Sequence, residues 1–249
     1  MLDIGFIGVL ISSIKLNIFM RIKILSWNLW TEGKFNLIAD FLKTADADIV
    51  GLQEVLDDDP QRNVIGLLKG LGYEGVFAPA RKEVGKEIWN DGPAIFSKLK
   101  IVETKTYMLS EISGRAAVKA DVQIGNKIIH IFNTHLKHTH QQETELQNLQ
   151  AENLIKILPK ENTILMGDFN ATPGSSVIKE MAEIMVDSDP ASTPTLNPAL
   201  FDCSGCEAGK IANTRLDYIF TTKDIKASSF KVHSAAGSDH LPISVIITV

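Results

Sequence analysis

The sequence predicts an α/β protein built on mixed sheets, and three observations predict it. Short apolar runs rich in β-branched residues, each closed by turn formers, recur from residue 22 to residue 249 and have the make-up of buried strands. Segments with helical periodicity lie between them. Two of the runs, 116–124 and 128–132, face one another across Gly125-Asn126, a pair suited to positive φ. A hairpin among helices and strands fits an α+β arrangement of mixed sheets rather than a repeating parallel βαβ barrel.

The first strand is 22–27, running into Asn28. Helical spacing follows, with Phe35, Ile38, Phe41 and Leu42 as its apolar positions, and the second strand, 49–53, ends at Glu54. A helix is predicted over 61–71, stopped by Gly70 and Gly72, and strands at 94–96 and 100–109. After the hairpin the longest predicted helix covers 141–158. Its Leu146, Leu149, Leu154, Ile157 and Leu158 would cover about half the circumference, as on a helix lying on a sheet, and Pro159 closes it. Residues 163–167 form the next strand and end at Asp168. A helix over 174–185 then precedes a loop, 186–212, that carries Pro190, Pro194 and Pro198 and is a candidate substrate wall. The last strands are 215–221 and 241–249.

With 249 residues, 45% hydrophobic and 22% charged, the chain has the make-up of a globular protein with a substantial core, which excludes a disordered chain. Nothing resembling a linker divides residues 20–249, which are expected to form one domain. The formal charge of −5 argues against gripping nucleic acid with a broad basic surface. Bound divalent cations would nonetheless reverse the local field in a carboxylate-lined cleft. Residues 1–19 are apolar but carry Asp3 and Lys15, and the run 5–14 is too short to span a bilayer and has no basic leader before it. An upstream extension outside the fold is the expected reading, with a degenerate signal or weak anchor as the alternative. A cytoplasmic monomer without a stable membrane span is expected. Cys203 and Cys206 form a lone C-x-x-C; without a second pair to complete a zinc site, they are expected to be free thiols or a small disulfide loop.

Polar residues sit where the apolar runs stop: Asn28, Glu54, His135, Asp168 with Asn170, Asp217, and Asp239 with His240. A strand pins such a residue while its polar end projects beyond the packed layer, which is how a catalytic constellation is held. Glu54 and Asp239 are candidate ligands for a hard cation such as magnesium, and Asn28 supplies a neutral oxygen or holds the metal's water. Asp168 is the candidate base or orienter for an attacking water, with Asn170 a donor to charge developing on phosphorus. An Asx-turn is the alternative for this pair. His240 can bind a phosphate oxygen, and Asp217 is the candidate carboxylate behind it; His135 is a second phosphate-facing histidine. His130, His138, His140 and His233 are expected to be structural or solvated, and H-x-x-H-x-H from His135 to His140 lacks an obvious zinc scaffold.

With Ser-Trp-Asn at 26–28, Gln-Glu at 53–54, Asn-Thr-His-Leu at 133–136, Gly-Asp-Phe-Asn at 167–170, Arg-Leu-Asp-Tyr at 215–218 and Ser-Asp-His at 238–240, the chain resembles the endonuclease/exonuclease/phosphatase superfamily from about residue 21 to residue 249. The resemblance implies a four-layer αββα sandwich of two mostly antiparallel sheets. It also implies a phosphoester hydrolase dependent on Mg2+ or Mn2+. It makes Glu54 the principal metal ligand with Asn28 and Asp239 beside it. Asp168 then activates water, Asn170 and the histidines contact phosphate, and Asp217 orients His240. Trp30 and His135 depart from the pattern of abasic-site endonucleases and point to the branch similar to DNase I, sphingomyelinases, inositol-polyphosphate phosphatases and deadenylases. The leading expectation is a phosphodiesterase acting on nucleic acid or another phosphodiester; a phosphomonoesterase or lipid phosphodiesterase is second, and an inactive binding module third.

Overall fold

Strand β1 (Arg21–Asn28) is followed by helix α1 (Phe35–Thr44) and by β2 (Ile49–Val55), which lies parallel to β1 with Ile24 opposite Ile49 and Asn28 opposite Gln53. On the other side of β1 runs β14 (Ile243–Thr248), antiparallel, edged by β13 (Lys226–Val232). Beyond β2 come β6 (Gly92–Ser97) and β3 (Glu74–Phe77), giving one sheet in the order β13-β14-β1-β2-β6-β3. The second sheet is built from β7 (Ile101–Ser110), β8 (Arg115–Ile124), β9 (Lys127–His135), β10 (Thr163–Asp168), β11 (Val186–Asp187) and β12 (Asp217–Thr221). Its order is β11-β12-β10-β9-β8-β7. A small hairpin pairs β4 (Lys82–Val84) with β5 (Glu87–Trp89). The computed structural model describes residues 20–57, 59–80, 82–84, 87–112, 114–201 and 213–249, so residues 1–19 and Cys203 and Cys206 lie outside the described residues.

The two sheets pack face to face because their strands are apolar on both sides, as buried sheets require. Alternate residues of β1, β2 and β14 (Ile22, Ile24, Ile49, Ile243, Val245 and Ile247) meet Val118, Val122, Ile131, Ile164, Met166 and Ile219 of the other sheet. The residues between them face outward: Leu25, Trp27, Val50 and Leu52 pack under α1 and under α2 (Val64–Gly70). Phe132, Leu165, Tyr218 and Phe220 pack under α3 (Glu145–Ile157) and α4 (Ser176–Ile184). The layers are therefore helix, sheet, sheet, helix, as expected. The sheets pack closely at Gly51, where a Cβ would lie 2.5 Å from Met166 Cε.

The hairpin forms as predicted, with Ile124 opposite Lys127 and Gly125 at φ 61°. Two helices differ from expectation. The one predicted over 61–71 starts only at Val64, because the Asn63 side chain accepts from Gly66 N at 2.7 Å and caps it there. The one predicted over 141–158 starts at Glu145, behind a Thr144 cap, since His140 and Gln141 have left-handed backbones that no helix accommodates. Its buried face is the predicted one only in part: Leu154 is buried and Ile157 and Leu158 pack against the core, but Leu149 is 42% exposed, while Gln147 and Gln150 are buried. The long loop begins with β11, and its Leu196 pairs with His240.

Candidate active site

Four strand ends meet at one end of the sandwich. β1 delivers Asn28, β2 Glu54, β9 His135 and β10 Asp168, because β1 runs parallel to β2 and β9 to β10. In the second sheet His135 lies opposite Asp168, and Asp168 opposite Asp217. Asp239 and His240 arrive on the segment before β14. These side chains, with Trp30, Thr31, Arg115, His138, His140 and Phe201, line a cleft of about 390 Å³; Asp217 stands directly behind His240. All eight sequence-predicted residues, Asn28, Glu54, His135, Asp168, Asn170, Asp217, Asp239 and His240, are thus brought together.

Local backbone explains the aim of several of them. The β2–β6 register slips between Leu52 and Val55, and Glu54 in this bulge has φ 55°, which turns its carboxylate into the cleft. Thr31 N and Asn28 Nδ2 donate to that carboxylate at 2.8 and 3.3 Å. Gly167 precedes Asp168 because a Cβ there would sit 2.1 Å from the Thr134 carbonyl oxygen. Asp168 Oδ1 accepts from Asn170 N at 2.8 Å, so the Asx-turn exists; it leaves Oδ2 to the site. That oxygen has Asn28 Nδ2 at 3.0 Å, Asn170 Nδ2 at 3.3 Å, His135 Nε2 at 3.5 Å and His240 Nε2 at 3.7 Å.

Burial pushes the Asp168 carboxyl up to about 7, against the pull of His240 and with the push of Asp217. His240 is held the opposite way. Burial would lower it, but Asp217 and Asp168 outweigh that and keep it protonated well above its ordinary range. Its Nδ1 lies 2.8 Å from Asp217 Oδ2, which also accepts from the Thr195 hydroxyl at 2.6 Å. On the other wall, Arg115 Nη1 is 2.9 Å from His135 Nδ1. A guanidinium only donates, so a neutral His135 carries its proton on Nε2, facing Asp168. Asn170 Nδ2 lies 3.1 Å from Leu136 O, 3.1 Å from His135 Nε2 and 3.3 Å from Asp168 Oδ2, and its Oδ1 faces His138 Nδ1 at 3.0 Å; His138 Nε2 in turn lies 3.3 Å from His140 Nδ1. Burial lowers His138, which leaves it neutral and able to pass hydrogen bonds in one direction along this chain.

The donor set fits a hard divalent cation at Glu54 and Asp239. Burial pushes Asp239 up to about 6, and although His240 pulls it down, the nearby Glu54 charge pushes it further up. Two carboxylates that repel in a cleft are relieved by a cation of two charges. Asn28 shares this corner through its nitrogen, while its oxygen accepts from Trp30 N at 3.0 Å. Asp168, Asp217 and His240 also offer three ligand atoms within 4.8 Å of one another. There, however, His240 Nδ1 and Asp217 Oδ2 are hydrogen-bonded to one another at 2.8 Å, and a relay is the better description of that trio.

Five contributors lie outside the residues picked from sequence as the site. Arg115, at the first position of β8, sets the His135 tautomer. Thr195, buried in the long loop, holds Asp217 and accepts from Leu216 N and Asp217 N, so this part of the loop is a strut rather than a substrate wall. Gln147 Nε2 donates to the carbonyls of Lys137, Phe169 and Asn170, tying both histidine and asparagine segments to α3. His138 and His140, expected to be structural or solvated, both line the cleft. Signals existed for two of these: Gln147 and Gln150 share a helix face, and Arg115 opens the strand that pairs with the one ending in His135.

No curated protein matches the chain by sequence. Solved structures share its fold. An endonuclease/exonuclease/phosphatase from Beutenbergia cavernae superposes with a TM-score of 0.77 at 18% identity, covering 92% of this chain and 72% of that one. ANGEL2, a 2′,3′-cyclic phosphatase, gives 0.71 at 16% identity, with 92% and 95% covered. The mannosyl-6-phosphatase Bt3783 of Bacteroides thetaiotaomicron gives 0.67 at 20% identity, with 91% and 99% covered. The model of the Endonuclease/Exonuclease/phosphatase family matches residues 25–240, which run from within β1 to the histidine of the relay, and the chain belongs to that family.

Proposed function

We propose that the chain is a divalent-metal-dependent phosphodiesterase that cleaves its substrate by in-line attack of water on phosphorus. Family membership makes it a phosphoric ester hydrolase; metal and substrate are the proposed parts. The observation that supports the mechanism is Asp168, a buried carboxylate raised to about 7 whose Oδ2 is ringed by Asn28, Asn170, His135 and His240. A base of that acidity takes a proton from water efficiently near neutral pH. Asn28 and Asn170 hold the receiving oxygen, and His240, kept charged by Asp217, donates from Nε2 to a phosphate oxygen. His135 offers a second donor at Nε2. A bound Mg2+ or Mn2+, held by Glu54 and Asp239 with Asn28 beside them, would supply positive charge against the phosphate oxygens.

A phosphomonoesterase is the second reading. It is favoured by the fold neighbours described as phosphatases and by a cleft of about 390 Å³, a size for a small ligand. One panel decides between them: DNA, RNA, sphingomyelin, inositol phosphates, hexose phosphates and bis-(p-nitrophenyl) phosphate, each with Mg2+, with Mn2+ and with chelator. Turnover of a diester that chelation abolishes is expected. Release of inorganic phosphate from monoesters alone selects the second reading, and no turnover of any member overturns both.

A further inference from the structure

Two tryptophans three positions apart have opposite environments. Trp27 is fully buried, meets Phe41 edge-on at 5.1 Å and donates from Nε1 to His240 O at 2.9 Å, as a structural tryptophan should. Trp30 is only partly buried and lines the cleft. Among the described residues its indole has neither an aromatic neighbour nor a hydrogen-bond partner. Yet its backbone is held at both its N–H and its carbonyl. Trp30 N donates to Asn28 Oδ1 at 3.0 Å, Trp30 O accepts from Gly33 N at 2.7 Å and from Arg62 Nη2 at 2.8 Å, and Arg62 Nη1 donates to Gly33 O.

These bonds hold Trp30 at φ 53°, a left-handed conformation that glycine or asparagine adopts readily and a bulky side chain does not. Strain retained at a cleft residue, with the side chain left unpacked, is the pattern of a group kept for a ligand. The indole also stands one amide away from the chemistry, since the same Asn28 that fixes Trp30 N reaches Glu54 and Asp168 through its Nδ2. A phosphoester centred between those carboxylates has Trp30 beside its organic group.

We propose that Trp30 is a stacking platform for a ring in that organic group, so that the substrate is a ring-bearing phosphoester, a nucleotide or a sugar phosphate, rather than an acyclic one. The inference rests on the phosphoester-hydrolase reading of the cleft. Its test compares the parent with Trp30→Leu, Trp30→Phe and Trp30→Gly on adenosine monophosphate, glucose 6-phosphate and ring-free glycerol phosphate with Mg2+. Trp30→Leu should lower kcat/KM about 5- to 100-fold on a ring-bearing substrate and leave glycerol phosphate within about twofold, while Trp30→Phe keeps most of the rate. Loss on the nucleotide alone identifies a base as the ring, and loss on the hexose alone identifies a sugar. Trp30→Gly should lose the same selectivity while melting no lower than the parent, because glycine relieves the strain. Equal losses on all three substrates, or none, overturn the platform. If the parent hydrolyses none of these three monoesters, the phosphomonoesterase reading fails while the phosphodiesterase reading stands on its own panel, and ligand-observed NMR decides the platform alone. Saturation transfer to ring protons of adenosine monophosphate or glucose 6-phosphate, lost in Trp30→Leu, upholds the platform; transfer that survives Trp30→Leu overturns it.

Discussion

The two ends of the sandwich carry carboxylates of the same kind with opposite acidities. Away from the cleft, the Lys98 ammonium, 3.0 Å away, lowers Asp46, and Asp121, which burial would raise, is lowered instead by His130 and Lys119. In the cleft, burial raises Asp168 to about 7 and Asp239 to about 6. The backbones divide in the same way. Away from the site the left-handed residues include Asp46, Gly125 and Asn162, types that tolerate it, along with Ser229 of β13, whereas at the site the bulky Trp30, Glu54, His140 and Gln141 join the tolerant Asn170 and Gly167. One end is folded for stability, and the other holds charge and strain that a ligand would relieve.

The sharpest way to break this contrast is Asp168→Asn, which should lower kcat about 100- to 10,000-fold with the circular dichroism of the parent retained. A rate near the parent's would remove Asp168 from the water-handling role. Next in size, Glu54→Gln should raise the Mg2+ concentration for half-maximal activity at least ~10-fold, read from a metal titration. The pH profile of kcat/KM should rise through about 7 as Asp168 releases its proton and fall again only where His240 loses its own, well above 6.5. A flat profile from pH 6 to 8 would contradict the acidity assigned to Asp168.

Stability offers a smaller test with a definite sign. Folded Asp239 keeps its proton to about pH 6, whereas the unfolded chain releases it near 3.8, so the folded state binds more protons between those values. Its contribution is present below 3.8 and is lost as pH rises through 6. In metal-free protein at pH 8, Asp239→Asn should therefore stabilise by up to roughly 2–3 kcal/mol in urea titrations, and Mg2+ should stabilise the parent more than the variant. Thr195→Val leaves Asp217 with His240 as its one side-chain donor and takes the Thr195 hydroxyl acceptor from two N–H groups. It should destabilise by about 1–3 kcal/mol and be rescued by Thr195→Ser. Smallest of all, Lys98→Ala at the far end should leave rate and melting temperature unchanged.

The cleft was legible because its residues flank apolar strands with a strong periodic signal: Asn28, Glu54, His135 and Asp168 stand at strand ends, whereas Asp217 opens β12 and Asp239 and His240 precede β14 rather than ending a run. The edges were not. β13 reads Lys-Ala-Ser-Ser-Phe-Lys-Val, mostly exposed and half polar, and β3 and β11 are too short to show alternation. The face of α3 was misjudged because hydrophobicity alone ranks Leu149 above Gln147, while carbonyls brought from residues 137, 169 and 170 decide otherwise. Thr195 acts through a partner 22 positions away, and no local pattern marks such a pairing.

Glu54 and Asp168 belong to different sheets, so no strand ladder fixes their separation. The gap is set by packing, and one close point of that packing is Gly51 against Met166, three residues before Glu54 and two before Asp168. The pair acts as a feeler gauge for the cleft. A single methyl at Gly51 would be absorbed by shifting Met166 or by easing the sheets apart, and the second course would widen the reactive gap. Gly51→Ala should then slow turnover from the middle of the core, without altering any group that faces the substrate.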